Sequence, residues 1–357
     1  MHYNRLGRTE MLVSRICLGT GTFGGGGNGY GNWGSVVEKD AHYLMDMAVE
    51  AGINFFDTAD AYGAFGKGSY SGMAEDIVGR WFAGGRGRRE RVVLTTKVGH
   101  VMDNVETWEG PNALRNISLY KIHRHFKESL KRLRTEHVEL YLLHDIVKPR
   151  SWDETWDALE RLIRSGEVDY VGTSNGSAWE IMKGQEAAQR RNLLGIVNEQ
   201  HVYNPIIRQP EYEVLPMALD QGIGITLMSP LYRGVLGVDL LEPGKRPLSD
   251  EAQRVVEKYR PQLIQYAGLC HDIGEPVGAV TIAWQLAHPA ITASIIGPCT
   301  PKDLEELIHA DGIKLDESTL KRIDEIFPGT GGPAPWSYEG WGELSPATQP
   351  AELLPKK

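Results

Sequence analysis

The chain has 357 residues with 38 basic and 47 acidic side chains, a formal charge of −9. At roughly 150 residues per domain this length admits two domains, and it equally suits one α/β barrel with long loops. Hydrophobic residues at 41% and charged residues at 24% exclude disorder for most of the chain, and a pI near 5.7 without a long Lys/Arg run gives no electrostatic case for nucleic acid or an anionic membrane.

In chain order, residues 2–13 predict a short hairpin with Gly7 in its turn, closing one end of the fold. RICLGT (15–20) reads as a first strand, and the Gly-rich 21–37 that follows reads as a loop. Helical periodicity then alternates with short apolar runs. A helix over 38–51 precedes INFFDTA (53–59), and one over 72–83 precedes VVLTTKV (92–98). Helix 117–133 precedes VELYLLH (138–144), and helix 152–166 precedes VDYVGTSN (168–175). Helix 177–191 leads to GIVNEQHVY (195–203), and helix 211–221 to GITLMSP (224–230). Residues 231–250 look irregular; helix 277–288, ITASIIGP (291–298) and helix 301–310 follow. From Phe327 onward the chain has Pro, Gly and aromatics but no period, so it reads as a loop or arm. Ser151 with Asp153 and Glu154 marks a helix start, and Gly166 a helix end.

The eight runs are mostly apolar with little alternation, as strands buried on both faces of a parallel sheet should be. Eight βα units without a composition break favour one closed (β/α)8 TIM barrel, although a doubly wound sheet produces the same alternation. The expected organisation is a single barrel domain over 1–357. The barrel would occupy about 15–311, with a further helix and a C-terminal tail over 312–357. Cys17, Cys270 and Cys299 have no metal-ligand spacing and are too few for a disulfide framework, which favours a reducing compartment. The N-terminus has no apolar signal-peptide core, and no stretch reaches the ~18 apolar residues of a membrane span; the expected location is cytoplasmic. His123 and His125 sit two apart, the wrong spacing for one helix face, so no metal is expected.

In a barrel the carboxyl ends of the strands face the site. Those ends carry Asp57 and, in DTADAYG, Tyr62; then Lys97 in TTKVGH and His144 in LLHD. Taken singly, Asp57 suits a turn cap, Lys97 a cation reaching solvent, Tyr62 a surface aromatic and His144 a core histidine. Taken together on three neighbouring βα units they converge on one mouth. A buried Lys97 needs a carboxylate, which Asp57 supplies, and its charge would lower the Tyr62 pKa from about 10. Such a tyrosine can protonate a developing alkoxide, while His144 orients the same oxygen. The constellation suits acid catalysis of carbonyl reduction.

At this point the sequence resembles the aldo-keto reductase superfamily over nearly its whole length. The resemblance is carried by AGINFFDTADAYG (51–63), TTKVG (95–99), ISLYKIHRHFKESLKRL (117–133) and ELYLLHD (139–145). It continues through GTSN (172–175), EQHVYN (199–204), MSPLYRGVLG (228–237) and IIGPCTPKDLEEL (295–307). It implies a (β/α)8 barrel with the catalytic tetrad Asp57, Tyr62, Lys97 and His144, binding a nicotinamide cofactor without a Rossmann domain. Gly24–Gly27 accordingly opens no helix. It implies cofactor contacts from Gly19, Thr20, Gly21 and Asp57, with Ser174, Asn175 and Gln200 on the nicotinamide carboxamide. Met228 stands where many members stack an aromatic on the nicotinamide. Ser229, Leu231, Arg233 and Gly234 would follow the pyrophosphate, and Gly297, Cys299, Lys302, Asp303 and Glu306 would meet the adenosine end at a helix N-terminus.

NADP(H) is the family default. Members that prefer it often carry an Arg where Cys299 or Asp303 stands here, and a carboxylate suits a ribose hydroxyl better than a phosphate, so NAD(H) is a second expectation, with Lys302 the nearby cation. Leu307 replaces a common adenine-binding Asn, leaving Glu306 as the contact. A small carbonyl or alcohol is the expected substrate. Trp33, Tyr62 and His144 would touch it, with Tyr30, Asn32, residues 100–108, Trp336, Tyr338 and Trp341 around the pocket; aromatic faces edged with polar groups suit a sugar or a polycyclic ketone. The alternative is a cofactor-binding sensor or channel subunit with little turnover. Glu75, Asp76 and Arg80 are expected on a helix surface.

Overall fold

The computed structural model describes residues 1–24, 36–63, 70–100, 116–144, 151–242 and 248–330. Strands β1 (Tyr3–Arg5) and β2 (Leu12–Ser14) pair antiparallel as the predicted hairpin. Its turn holds Gly7 at φ +56°, packed against backbone atoms of Val197, Gly222 and Gly224. A side chain there would meet carbonyl oxygens at the amino ends of two barrel strands, so the hairpin plugs the end opposite the strand carboxyl termini.

The remaining strands are β3 (Ile16–Gly19), β4 (Phe55–Asp57), β5 (Val93–Val98), β6 (Val138–Leu143), β7 (Val168–Ser174), β8 (Ile196–Val202), β9 (Gly224–Met228) and β10 (Ile291–Ile296). They close into a parallel barrel in sequence order, with β10 pairing back onto β3. The doubly wound alternative is thereby excluded. Around them run α1 (Glu38–Glu50), α2 (Met73–Ala83), α3 (Leu119–Leu133), α4 (Trp152–Arg164), α5 (Ala178–Gln189), α6 (Val214–Gln221), α7 (Asp250–Ile273), α8 (Val277–Ala287), α9 (Pro301–His309) and α10 (Glu317–Ile326).

Alternation along each strand divides the apolar residues into two cores. Cys17, Phe55, Leu140, Leu142, Val197, Ala293 and Ile295 fill the barrel interior together with Leu6 and Val13 of the hairpin. Leu18, Phe56, Leu94, Tyr141 and Ile225 face outward into the larger layer beneath the helices. Several helices start where the sequence supplies a cap. The Ser118 side chain accepts from Lys121 N, Ser151 from Glu154 N and Ser249 from Ala252 N. Gly166, at φ +76°, lies just past α4 as expected.

One element escapes the sequence reading and one expectation fails. Helix α7 has no counterpart among the predicted elements. It consists of two helical pieces meeting at Tyr259, with Pro261 in the first turn of the second piece, and the proline obscures the period while the fold tolerates it there. Glu75 is not on a helix surface. It is fully buried, accepts from Thr96 Oγ1 at 2.6 Å and from Arg132 Nε at 2.7 Å, and ties α2 to β5 and α3. Of the other two residues expected there, Asp76 accepts from nearby Tyr70, and Arg80 donates to Glu38, tying α2 to the start of α1.

Candidate active site

Toward the carboxyl ends of the strands the inward positions pass from apolar to polar residues, with β8 re-phased by a register shift against β7 next to Val197, so that Gln200 rather than Glu199 faces inward. Asp57 ends β4, Lys97 is the penultimate residue of β5, His144 follows β6, Ser174 ends β7 and Gln200 lies near the end of β8. Lys97 is fully buried and its ammonium has three acceptors: Asp57 Oδ2 at 2.6 Å, the Thr58 carbonyl at 2.8 Å and the Tyr62 hydroxyl at 3.0 Å. Three donors meet three acceptors, which is the saturation a buried ammonium needs. Because Lys97 donates to the Tyr62 oxygen, the phenolic hydrogen is directed away from the ammonium. The ammonium also lies 4.6 Å from the Tyr62 ring centre.

The segment after β4 does not leave the barrel at once. Thr58 N donates to the Thr95 carbonyl, and Asp60 N to that of Lys97, so 57–62 stays laid along β5 and brings Tyr62 over Lys97. Asp60, fully buried, meets His125 Nδ1 of α3 at 2.5 Å, which anchors this turn from outside. His125, considered above only as a metal ligand, thus serves as its partner. The Tyr62 and His144 rings meet edge to face at 5.9 Å between centres, and His100 packs against His144 at 4.2 Å. Gly99 permits the latter approach, with φ +146°; a methyl group there would lie 2.5 Å from the His144 carbonyl oxygen. Buried Lys121 fixes the neighbouring backbone by donating to the His100 carbonyl at 2.7 Å.

The structure therefore brings together all four residues of the expected tetrad, buried at one mouth. Burial pushes the thiol of Cys17, below them in the interior, well above its usual range; the Asp57 charge adds to this and Lys97 opposes it. That thiol is a packing group.

Gln200 and Thr20 test whether these surroundings fit a bound cofactor. Gln200 Nε2 donates to Asp57 Oδ1 at 2.8 Å, which fixes the amide, while its buried Oε1 has no partner among the described residues. Thr20 N donates to the Asp57 carbonyl, and buried Thr20 Oγ1 is likewise unsatisfied. Leaving buried polar atoms unpaired is costly, and these two among the expected contacts fit a polar ligand in the mouth. Backbone strain concentrates at the same rim. Asn175, Ser229, Tyr232 and Arg233 all adopt positive φ, in the loops after β7 and β9. Met228 ends β9 half-buried, and Gly234 continues the left-handed run after Arg233.

Two expected contacts have other employment. Arg233 pairs with Glu251 at the start of α7, so its charge is already compensated. Asp303 completes a capping box at the start of α9. Its Oδ2 accepts from Cys299 N at 3.1 Å and Thr300 N at 3.0 Å, while Thr300 Oγ1 accepts from Asp303 N. Lys302 beside it is exposed, and Glu306 faces Gly278 of α8. Leu307 is buried in the outer core. Trp33, Tyr30, Asn32, residues 101–108, Trp336, Tyr338 and Trp341 lie outside the described residues. No helix among the described residues is long and apolar enough to cross a membrane.

A closed barrel with a buried Lys–Asp–Tyr cluster at the carboxyl ends of its strands defines a TIM-barrel protein whose site is built from βα loops. Residues 15–327 match the Aldo/keto reductase family, and the chain belongs to that family, whose members generally use NAD(P)H. It is 45% identical over 338 residues to the uncharacterized oxidoreductase YrpG of Bacillus subtilis, covering 95% of this chain and 99% of that one. It is 27% identical to versiconal hemiacetal acetate reductase of Aspergillus parasiticus, covering 92% and 97%. It is 29% identical to a probable voltage-gated potassium channel subunit beta of Arabidopsis thaliana, again covering 92% and 97%.

Proposed function

We propose that the protein is an NAD(P)(H)-dependent oxidoreductase that interconverts a small carbonyl compound and its alcohol, with Tyr62 as the general acid or base. The observation that carries this reading is the Lys97 ammonium held between the Asp57 carboxylate and the Tyr62 hydroxyl in a buried site. Bound in the mouth, the cofactor supplies or takes the hydride. Tyr62 gives its proton to the substrate oxygen in reduction and takes it back in oxidation. Lys97 balances the phenolate left behind, and Asp57 holds the Lys97 ammonium in place. His144, edge-on to Tyr62, donates to the same oxygen and sets its direction. Gln200 Oε1 and Thr20 Oγ1 would receive donors from the cofactor, with Ser174 and Asn175 beside Gln200 at the nicotinamide end.

The carboxylate that suggested NAD(H) is half of the α9 cap, and two backbone N–H groups already draw on it. We therefore favour NADP(H). Exposed Lys302 and the positive end of α9 would lie near the 2′-phosphate.

Tyr62→Phe tests the reading. Turnover is expected to fall by roughly 10²-fold or more while cofactor affinity stays within about twofold, because only the proton donor is deleted. Unchanged turnover would overturn it. A carbonyl panel tests the substrate class: aldoses, keto-sugars and hydroxyketones are expected to be reduced, and their uniform failure beside turnover of simple aromatic aldehydes would remove the sugar-like reading. Tight cofactor binding without turnover of any carbonyl would instead favour a sensor, the kind of role that the channel-subunit name of one relative suggests.

A further inference from the structure

Glu199 lies next to Gln200 on β8 but points the other way, to the outer face of the barrel. It is fully buried, and no Lys or Arg pairs with it among the described residues. Its partners are instead the strand end and loop beside the proposed nicotinamide site. Thr173 Oγ1, directly opposite on β7, donates to Glu199 Oε2 at 2.5 Å, and Gly176 N donates to Oε1 at 2.9 Å. His201 Nδ1 lies 3.1 Å from the same Oε1.

A buried carboxylate with no Lys or Arg to balance it is expensive, and an apolar pair of similar shape would pack this layer more cheaply. What Glu199 does that an apolar residue cannot is hold the two residues flanking the Ser174–Asn175 step. Asn175 sits at φ +57°, a conformation that disfavours a non-glycine residue, and its N donates to the Gln200 carbonyl at 2.9 Å. Asn175 is thus fixed on one side by Gln200 and, through Gly176, on the other by Glu199.

We propose that Glu199, with Thr173, is a positioning residue for nicotinamide recognition, locking the 174–176 turn in its strained form from outside the barrel. This rests on the assignment of Ser174, Asn175 and Gln200 to the nicotinamide end. The test is binding, read by tryptophan quenching or calorimetry, with paired probes: NADPH against 2′-phospho-ADP-ribose, and NADH against ADP-ribose. The second probe of each pair lacks the nicotinamide.

Glu199→Ala is expected to weaken the nicotinamide-bearing probe by roughly tenfold or more and to leave the truncated probe within about twofold. Glu199→Gln, which keeps an oxygen for Gly176, is expected to recover most of the loss. Equal weakening of both probes, or none, would overturn the proposal. Should Glu199→Ala fail to fold, Thr173→Val gives the same comparison, with an expected loss of about threefold confined to the nicotinamide-bearing probe. If the wild-type protein binds the two probes of each pair equally, the nicotinamide assignment itself fails, and the role of Glu199 falls with it.

Discussion

The Lys97 ammonium lies 2.6 Å from the Asp57 carboxylate, with the lysine fully buried and the aspartate nearly so. Two opposite charges this far from water are kept only if both remain satisfied. Lys97→Met would leave Asp57 buried without its cation and is expected to cost about 3–5 kcal/mol of stability. Adding Asp57→Asn should restore part of that loss in denaturant melts without restoring turnover. Full stability in Lys97→Met would mean that the pair is not sequestered as described.

Gly99→Ala places a methyl group against the His144 carbonyl oxygen in a backbone conformation that alanine disfavours. Local displacement of His144 should cost about 1–3 kcal/mol and lower kcat more than it raises the KM for cofactor. Thermal melts and steady-state kinetics on the same preparation check both parts.

Asp303→Ala removes one side of the α9 capping box and is expected to cost about 1 kcal/mol. The ratio of NADPH to NADH affinity should change by less than about threefold, because the carboxylate is engaged by backbone N–H groups. A large gain in NADPH preference would show that the carboxylate faces the ribose after all.

His271 Nε2 lies 2.6 Å from Asp239 Oδ2, clamping α7 to the segment before it. The hydrogen bond to Asp239 raises the His271 pKa above the usual imidazole value. Burial works to raise Asp239, but its bond to His271 and the backbone N–H groups of Leu241 and Glu242 outweigh that and hold it below the usual carboxylate range. A raised imidazole stabilises fully below its unfolded value of about 6.5 and loses that contribution as pH rises through its folded value. A lowered carboxyl contributes above its unfolded value of about 3.9 and is lost as pH falls through its folded value. The clamp should therefore be strongest between about pH 4 and 6.5. NMR titration of His271 should show a midpoint that falls toward the ordinary value in Asp239→Asn.

Eight short apolar runs alternating with amphipathic stretches were enough to read a parallel α/β fold, because burial on both faces removes the period-two pattern from a strand. Asp57, Tyr62, Lys97 and His144 were legible for a related reason: polar residues at the ends of apolar runs in such a fold have one common destination. Their identity and order come from the chain alone, as do Ser151 and Gly166 at the ends of α4. A closed barrel was the expectation from eight βα units and from the family resemblance, while the pairing of β10 with β3 is the tertiary contact that excludes the doubly wound alternative.

The partners that hold the site belong to the tertiary structure as well. Asp60 meets His125 across 65 positions, Thr96 meets Glu75 across 21, and Thr173 meets Glu199 across 26. A carboxylate on an amphipathic helix or an apolar strand looks alike in sequence whether it faces water or a buried donor. Only the packing of one element on another removes the water and makes the partner obligatory. Asp303 shows the same limit from the other side: its position at the expected cofactor end was readable, but its engagement by Cys299 and Thr300 N–H groups was decided by how the chain turns into α9.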